Sequence, residues 1–543
     1  MKLKKYILPL CLLSLLSACE DYEDINKSTT GVTDEELGSL LYATKLTEIQ
    51  KYIIPIGTPA ETTAPGNDLM ASDVMSAGNY IGYFGMNHEW GYKTEATWDF
   101  APNRMEYEME VLYAKPFTVW TTVYQKLAHS EDVAEQEIMA LFDIIKVTAW
   151  LRATDCFGPL AYTSAGNGDF TPKFDSQETV YRSMLKDLEW CSQILNASTS
   201  KIMPKYDMVY GGDPVKWTKF ANSLMLRIAV RTHFVNEELA REYITKALDP
   251  QNGGVIETIA DEAKIGDSGN FPLLNPLIAG IDYKETRMGA TAWHYLTGYK
   301  DPRLAKYYTK GVHHDTEDYY CIAPCNTVSK QEGKNSAEFA STPNVSQKSP
   351  MYWFRASETF FLKAEAALYN LAAGDVAALY EQGVRTSMQE WGISDAEATA
   401  YLADGESTAG EITYYNYYYN DYGHYYTSNI SEGNVSPKWD ANSGKEKQLQ
   451  QIITQKYIAL YPNSVEAWTE YRRTGYPYLA ANFGDFYNKI NSDRSIRTPE
   501  RYIYSPKDYS TNPNMNEIPE LLGGKDQGGT KLWWVRKDRP KQR

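Results

Sequence analysis

Apolar residues recur along most of this chain at helical spacing rather than in alternation, and the clearest stripe lies in DPVKWTKFANSLMLRIAVR. Trp217, Phe220, Ala221, Leu224 and Ile228 share one face of a helix there. Asp213 stands where a cap belongs, and Pro214 follows at the first helical position, where a missing N–H removes nothing. A second stripe, Leu449, Ile452, Ile453, Tyr457, Leu460 and Tyr461, ends at Pro462. Asn463 with Glu466 then reads as a capping box opening the next helix, with Gly475 and Pro477 as its stop. Further helical patterns run through residues 105–127, 132–153, 179–195, 237–248, 357–369 and 375–391.

Helices joined by short turns predict antiparallel hairpins, and the small residues at 364–367 allow two helices to approach closely. No repeat of fixed period is visible, so periodicity alone predicts a mostly α body of several helix hairpins. Between them, residues 54–100, 252–286, 311–351, 404–446 and 480–527 read as long irregular stretches. Their aromatic content argues against disorder.

The start of the chain follows another pattern. MKLKKYILPLCLLSLLSAC has three lysines, an apolar run and small residues before Cys19, the form of a secretory signal too short to span a membrane. Leu16-Ser17-Ala18-Cys19 resembles a bacterial lipobox, so residues 1–18 are expected to be removed and Cys19 to be the lipid attachment point. The acidic residues that follow resemble the signal that sends lipoproteins to the outer face of the outer membrane. Residues 19–35 read as an acidic tether and residues 36–543 as the folded body. An acidic start cannot bind anionic head groups, which leaves the acyl chains to hold the membrane.

Length alone, at 543 residues, allows two to four domains. The formal charge is −16, and losing Lys2, Lys4 and Lys5 makes it −19, so nucleic acid is not an expected partner. Beyond Cys19 only Cys156, Cys191, Cys321 and Cys325 remain, too few for a disulfide scaffold; whether Cys321 and Cys325 pair stays open.

Several segments match a known family in order. WTKFANSLMLR at 217–227, Asp301-Pro302-Arg303-Leu304, ETFFLKAEAA at 358–367, Gln455-Lys456-Tyr457 leading to Glu466-Ala467-Trp468, and YRRTGYP at 471–477 resemble the SusD/RagB outer-membrane lipoproteins. Asp155 to Tyr162 and Leu532-Trp533-Trp534 fit the same pattern, with Cys156 where a Tyr-like residue is expected. The resemblance implies one α-rich domain with about four tetratricopeptide-like helix pairs and an irregular region holding the ligand. It also implies a lid on a TonB-dependent, SusC-like transporter that takes in oligosaccharides or polysaccharides, with a peptide or other nutrient as the alternative cargo.

The landmarks themselves read as structural. Arg472 and Arg473, like Arg227 and Arg231, suit the negative end of a helix, Gly475 suits the left-handed position after one, and Trp533 and Trp534 pack the late segment onto the body. Ligand residues are sought instead among exposed aromatic faces flanked by polar groups, which sugar rings require. The stretch NYIGYFGMNHEWGY, followed by Trp98, has that composition and lies where the family's N-terminal ligand loop falls, so Trp90 and Trp98 are candidate stacking faces, Asn87 a candidate hydroxyl partner, and Tyr80 and Tyr83 further candidates. Tyr283 and Trp293 follow from a second stretch. YYNYYYNDYGHYYTSN, residues 414–429, holds eight tyrosines and no aliphatic residue; it reads as a recognition surface in an irregular segment, with Tyr417, Tyr419 and Tyr422 as candidates.

An enzyme is the rival class, but no nucleophile elbow, phosphate loop or HExxH helix is present. His313-His314-Asp315 places its ligands side by side and reads as a solvated loop rather than a metal site. Calcium is compatible with the acidic loops, but no EF-hand spacing assigns it a place, and no cofactor is expected.

Overall fold

The computed structural model describes residues 39–85, 98–268, 270–284, 286–324, 336, 338–417, 423–430, 435–481 and 487–542. After an opening helix α1 (Ser39–Gln50), consecutive helices pack as hairpins. α2 (Lys115–Leu127) packs on α3 (Val133–Phe157), and α4 (Gln177–Asn196) on α5 (Pro214–Thr232), with α6 (Glu237–Leu248) against α5. After α7 (Ala290–Gly298), α8 (Ala356–Leu368) pairs with α9 (Val376–Glu390), and α10 (Lys445–Leu460) with α11 (Ser464–Thr474). Contacts of α3 with α4, and of α8 with α10, join the hairpins into one body, the tetratricopeptide-like arrangement the resemblance implies. Among the described residues no helix is long and apolar enough to cross a membrane.

Local chemistry sets these helices as read. Asp213 accepts from the N–H groups of Val215 at 3.0 Å and Lys216 at 3.4 Å, Pro214 is the first helical residue, and every residue of the Trp217 stripe is buried. Gly475 sits at φ 86°, its N–H closing onto Tyr471 O at 2.7 Å, so α11 ends in a left-handed cap.

Strands occur only as small pairs among the described residues. β1 (Phe84–Gly85) lies antiparallel to β3 (Arg287–Met288), β2 (Ala263–Ile265) to β6 (Met351–Phe354), β4 (Gly311–His313) to β5 (Thr316–Asp318), and β7 (Glu411–Tyr417) to β8 (Gly423–Asn429).

Stretches read as irregular contain regular elements among the described residues. Residues 54–100 contain a helix, Thr63–Leu69, that runs into a π-helix, Met70–Gly78. All nine residues of that π-helix are buried, so it carries no polar face and no periodic stripe to reveal it. The tyrosine-rich stretch contains the β7–β8 hairpin, whose register sets Tyr414 opposite Tyr426 and Tyr415 opposite Tyr425.

The basic landmarks are structural, but not as helix-end charges. Arg231 donates to Asp155 Oδ2 at 2.6 Å and to Glu466, and Arg227 grips Glu358 with two bonds of 2.7 Å. Arg473 spans Glu365 and Glu470, and Lys456 Nζ lies 3.2 Å from Glu470. All of these side chains are buried, and they come from α3, α5, α8, α10 and α11. Asp155 also accepts from Trp534 Nε1 at 3.0 Å, which seals the late segment onto the same centre. The network also explains a missing capping box: Asn463 accepts from the Glu466 N–H, but the Glu466 carboxylate turns inward to arginine. Arg472 lies with its guanidinium 3.5 Å from the centre of the Trp468 ring.

Removing one member of such a network strands a buried charge, which typically costs about 3–5 kcal/mol. Arg231→Met is therefore expected to lower unfolding free energy by about that much in urea titration, because Asp155 and Glu466 both lose the guanidinium they share. A loss under about 1 kcal/mol would show that the centre does not carry the fold.

Stability should also peak in mild acid. Burial opposes ionisation of Glu365, but Arg473 and His233 outweigh it and hold the carboxyl at about 2, below its ordinary 4.5. Its contribution is full above about pH 4.5 and fades as pH falls toward 2. Burial pushes Glu390 up to about 8 against the pull of Arg355, so its contribution is full below about pH 4.5 and is lost as pH rises through 8. Melting temperature measured across pH should thus peak near pH 4.5, falling toward pH 2 as Glu365 is protonated and falling between about pH 4.5 and 8 as Glu390 is forced to ionise.

Candidate functional site

The π-helix delivers the chain to Asn79–Gly85, which lies flat on the start of α7. Ala292 N donates to Gly82 O and Gly289 N to Tyr83 O, each at 3.0 Å. This approach requires glycine: Gly82 has φ 70°, and a Cβ there would fall 2.5 Å from Thr291 Oγ1. Two linked concavities result, with Trp98 in the wall of both.

The inner one is a depression walled by Asn79, Tyr80, Trp98, Thr291, Ile322 and Arg497. The outer one is a wide cleft of about 810 Å³ counting its mouth, lined by Trp98, Asp99, Phe100, Ile490, Ile503, Lys489, Asp526, Gln527 and Gly528. Its floor is apolar and its rim polar. Asp99 meets Lys489 at 2.7 Å, both exposed to solvent. Asp526 is held by Arg501 and by Tyr509 Oη at 2.9 Å. The half-buried Gln527 side-chain amide makes no hydrogen bond to any described residue, so its donors and acceptor face the cleft unspent. Gly528 keeps the turn close: a Cβ there would lie 2.4 Å from the Phe100 ring.

The sequence candidates divide. Tyr80 and Tyr83, both ligand candidates, are buried. Tyr80 packs 5.2 Å from Trp468, and Tyr83 stacks 4.7 Å from Tyr457 and donates to its carbonyl oxygen. Trp98 lines the cleft but is only 3% exposed, with its ring edge-on to Tyr487 at 5.3 Å; its φ of 61° is a left-handed conformation rare for a bulky residue. It anchors the floor more than it offers a platform. Tyr283 is 63% exposed and lines neither concavity. Trp293 is half-buried on α7, where Nε1 donates to Tyr319 O at 2.7 Å. Asn87, Trp90, Tyr419, Tyr422 and Cys19 lie outside the described residues, as does Cys325. Cys321 is buried.

Tyr417 belongs to β7, opposite Gly423. The base of that hairpin is tied to the cleft by His294. Burial lowers this imidazole to about 4, so it is neutral; Nδ1 faces Gly410 O and must carry the proton, leaving Nε2 to accept from Ser428 Oγ at 3.0 Å. Ala481 N donates to the same Ser428 Oγ at 3.1 Å, and Ala480 N to Thr291 Oγ1. The hairpin, α7 and the chain at 480 are thereby one support.

Sequence reasoning did not single out Phe100, Lys489 or Gln527. The only signal was a lone glutamine before paired glycines in Asp526-Gln527-Gly528-Gly529, the mark of a tight, exposed turn. His313 and His314 flank a β4–β5 turn in which His314 and Asp315 have positive φ, and no group of three or more metal-ligating side chains forms among the described residues.

Comparison with known proteins matches this architecture. A protein solved as BT1043 has 52% identity and a TM-score of 0.88, covering 93% of this chain and 100% of its own. A SusD homologue from Bacteroides vulgatus has 28% identity and a TM-score of 0.82, covering 93% and 99%. A chitin-binding SusD homologue from Flavobacterium johnsoniae has 28% identity and a TM-score of 0.80, covering 92% and 100%. No curated protein matches. The model of the SusD-like family, described as SusD and RagB outer membrane lipoproteins, matches residues 24–535, and the chain belongs to that family.

Proposed function

We propose that this protein captures oligosaccharides at the cell surface. It is held there by an acylated Cys19 and acts as lid and partner of a TonB-dependent, SusC-like outer-membrane transporter. The observation that carries the reading is the cleft beside Trp98. Apolar Phe100, Ile490 and Ile503 match the C–H face of a sugar, and Asp99, Lys489 and the unspent amide of Gln527 match its hydroxyl rim. The chitin-binding relative of the same fold supports the substrate class.

Binding without turnover fits the same cleft. A glycosidase needs one carboxyl free to give a proton and another to receive charge. Here Asp99 is held by Lys489 and Asp526 by Arg501 and Tyr509, so both acids of the cleft are committed. The tyrosine hairpin, fixed to α7 through His294, offers the second surface that a lid requires, toward ligand or transporter.

Calorimetry with oligosaccharides selected on a glycan array tests the cleft. Gln527→Ala and Phe100→Ala should each weaken binding roughly threefold to tenfold while leaving the melting temperature nearly unchanged. If no saccharide binds at millimolar concentration, the cargo is not glycan; copurification with a transporter then tells a lid for another nutrient from a protein with no such partner.

A further inference from the structure

Phe84, part of the inner depression beside Trp98, also lines a separate pocket of about 590 Å³ counting its mouth. Ile54, Val74, Leu277, Met351, Leu460 and Pro462 make most of its wall. Three of its polar residues are already satisfied. Asp73 is paired with Arg152 at 2.6 Å, Glu358 is gripped twice by Arg227, and Asn463 caps α11.

Arg355 is different. It is 6% exposed, yet its guanidinium donates no hydrogen bond to any described residue. Tyr352 and Trp391 flank it, with ring centres 3.6 and 5.0 Å away, and its nearest carboxylate oxygen is Glu390 Oε2 at 3.6 Å. Glu390 already accepts from Ser357 N at 2.8 Å, and burial pushes its carboxyl up, which makes it a long and weakened partner for the arginine. A guanidinium held by its faces keeps its N–H edges available to a ligand in the pocket.

We propose that this pocket is a second binding site, separate from the glycan cleft, for a small monocarboxylate with an apolar body. Its two oxygens sit on the Arg355 fork and its hydrocarbon or aromatic part against Leu277, Met351 and Leu460. A planar carboxylate matches the bidentate fork. A phosphate would bring a second negative charge beside Asp73 and Glu358, and a sugar would find too few unspent polar groups.

Titration calorimetry of the whole folded protein with octanoate, and with octanol as the same body without charge, tests this. Octanoate should bind saturably with one-to-one stoichiometry, about tenfold or more tighter than octanol. Arg355→Met should erase that difference, and Val74→Phe, which narrows the pocket without touching a charge, should weaken both. The proposal is overturned if octanoate shows no saturable binding up to about 10 mM, a ceiling near the weak end of specific affinity. It is equally overturned if octanol binds as tightly. Should Arg355→Met fail to fold, Val74→Phe decides: undiminished octanoate binding in that variant rejects the pocket.

Discussion

Everything in this molecule hangs on a charged centre that water does not reach. Arg227, Arg231, Lys456 and Arg473 meet Asp155, Glu358, Glu365, Glu466 and Glu470 where five helices converge. A hydrophobic core tolerates many packings, but an ion network of this kind tolerates one, because each guanidinium must find its acceptors in place. The hairpins are thereby fixed in relative position. The π-helix runs along α11 and meets this framework, and it hands the chain to the cleft. The helical framework thus carries the candidate cleft, which is built from loops where side chains can vary while the scaffold is kept.

The helical frame was legible because its stripes face a single core. Trp217 and its partners, Asp213 with Pro214, and the left-handed Gly475 all do what their positions announce. The arginines were harder. On a helix near its end, a basic residue satisfies the dipole equally well from outside or inside, and only the acids on other helices, distant in sequence, decide that Arg231 and Arg473 point inward. The π-helix escaped for the opposite reason, since a segment buried on every side has no polar face to mark its period.

The candidate cleft was less legible than the frame. The aromatic-rich loop before residue 98 was singled out by its composition, but aromatic residues serve cores and recognition surfaces alike, and burial sorts them only in three dimensions. Tyr80 and Tyr83 went to the core, while Phe100 and Gln527, from segments more than four hundred residues apart, formed the cleft. In the tyrosine-rich stretch the cross-strand register pairs tyrosine with tyrosine, so its bias in composition is also a rule of pairing.

The bond between Asp155 and Trp534 joins residues 379 apart in sequence, and Arg501 reaches back over 344 residues to the Phe157 carbonyl. Contacts of such range form late, because a long loop must close before any of them repays its entropy. Until residue 534 is in place, the buried Asp155 carboxylate lacks one of its donors, so the last stretch of sequence supplies a piece of the innermost centre.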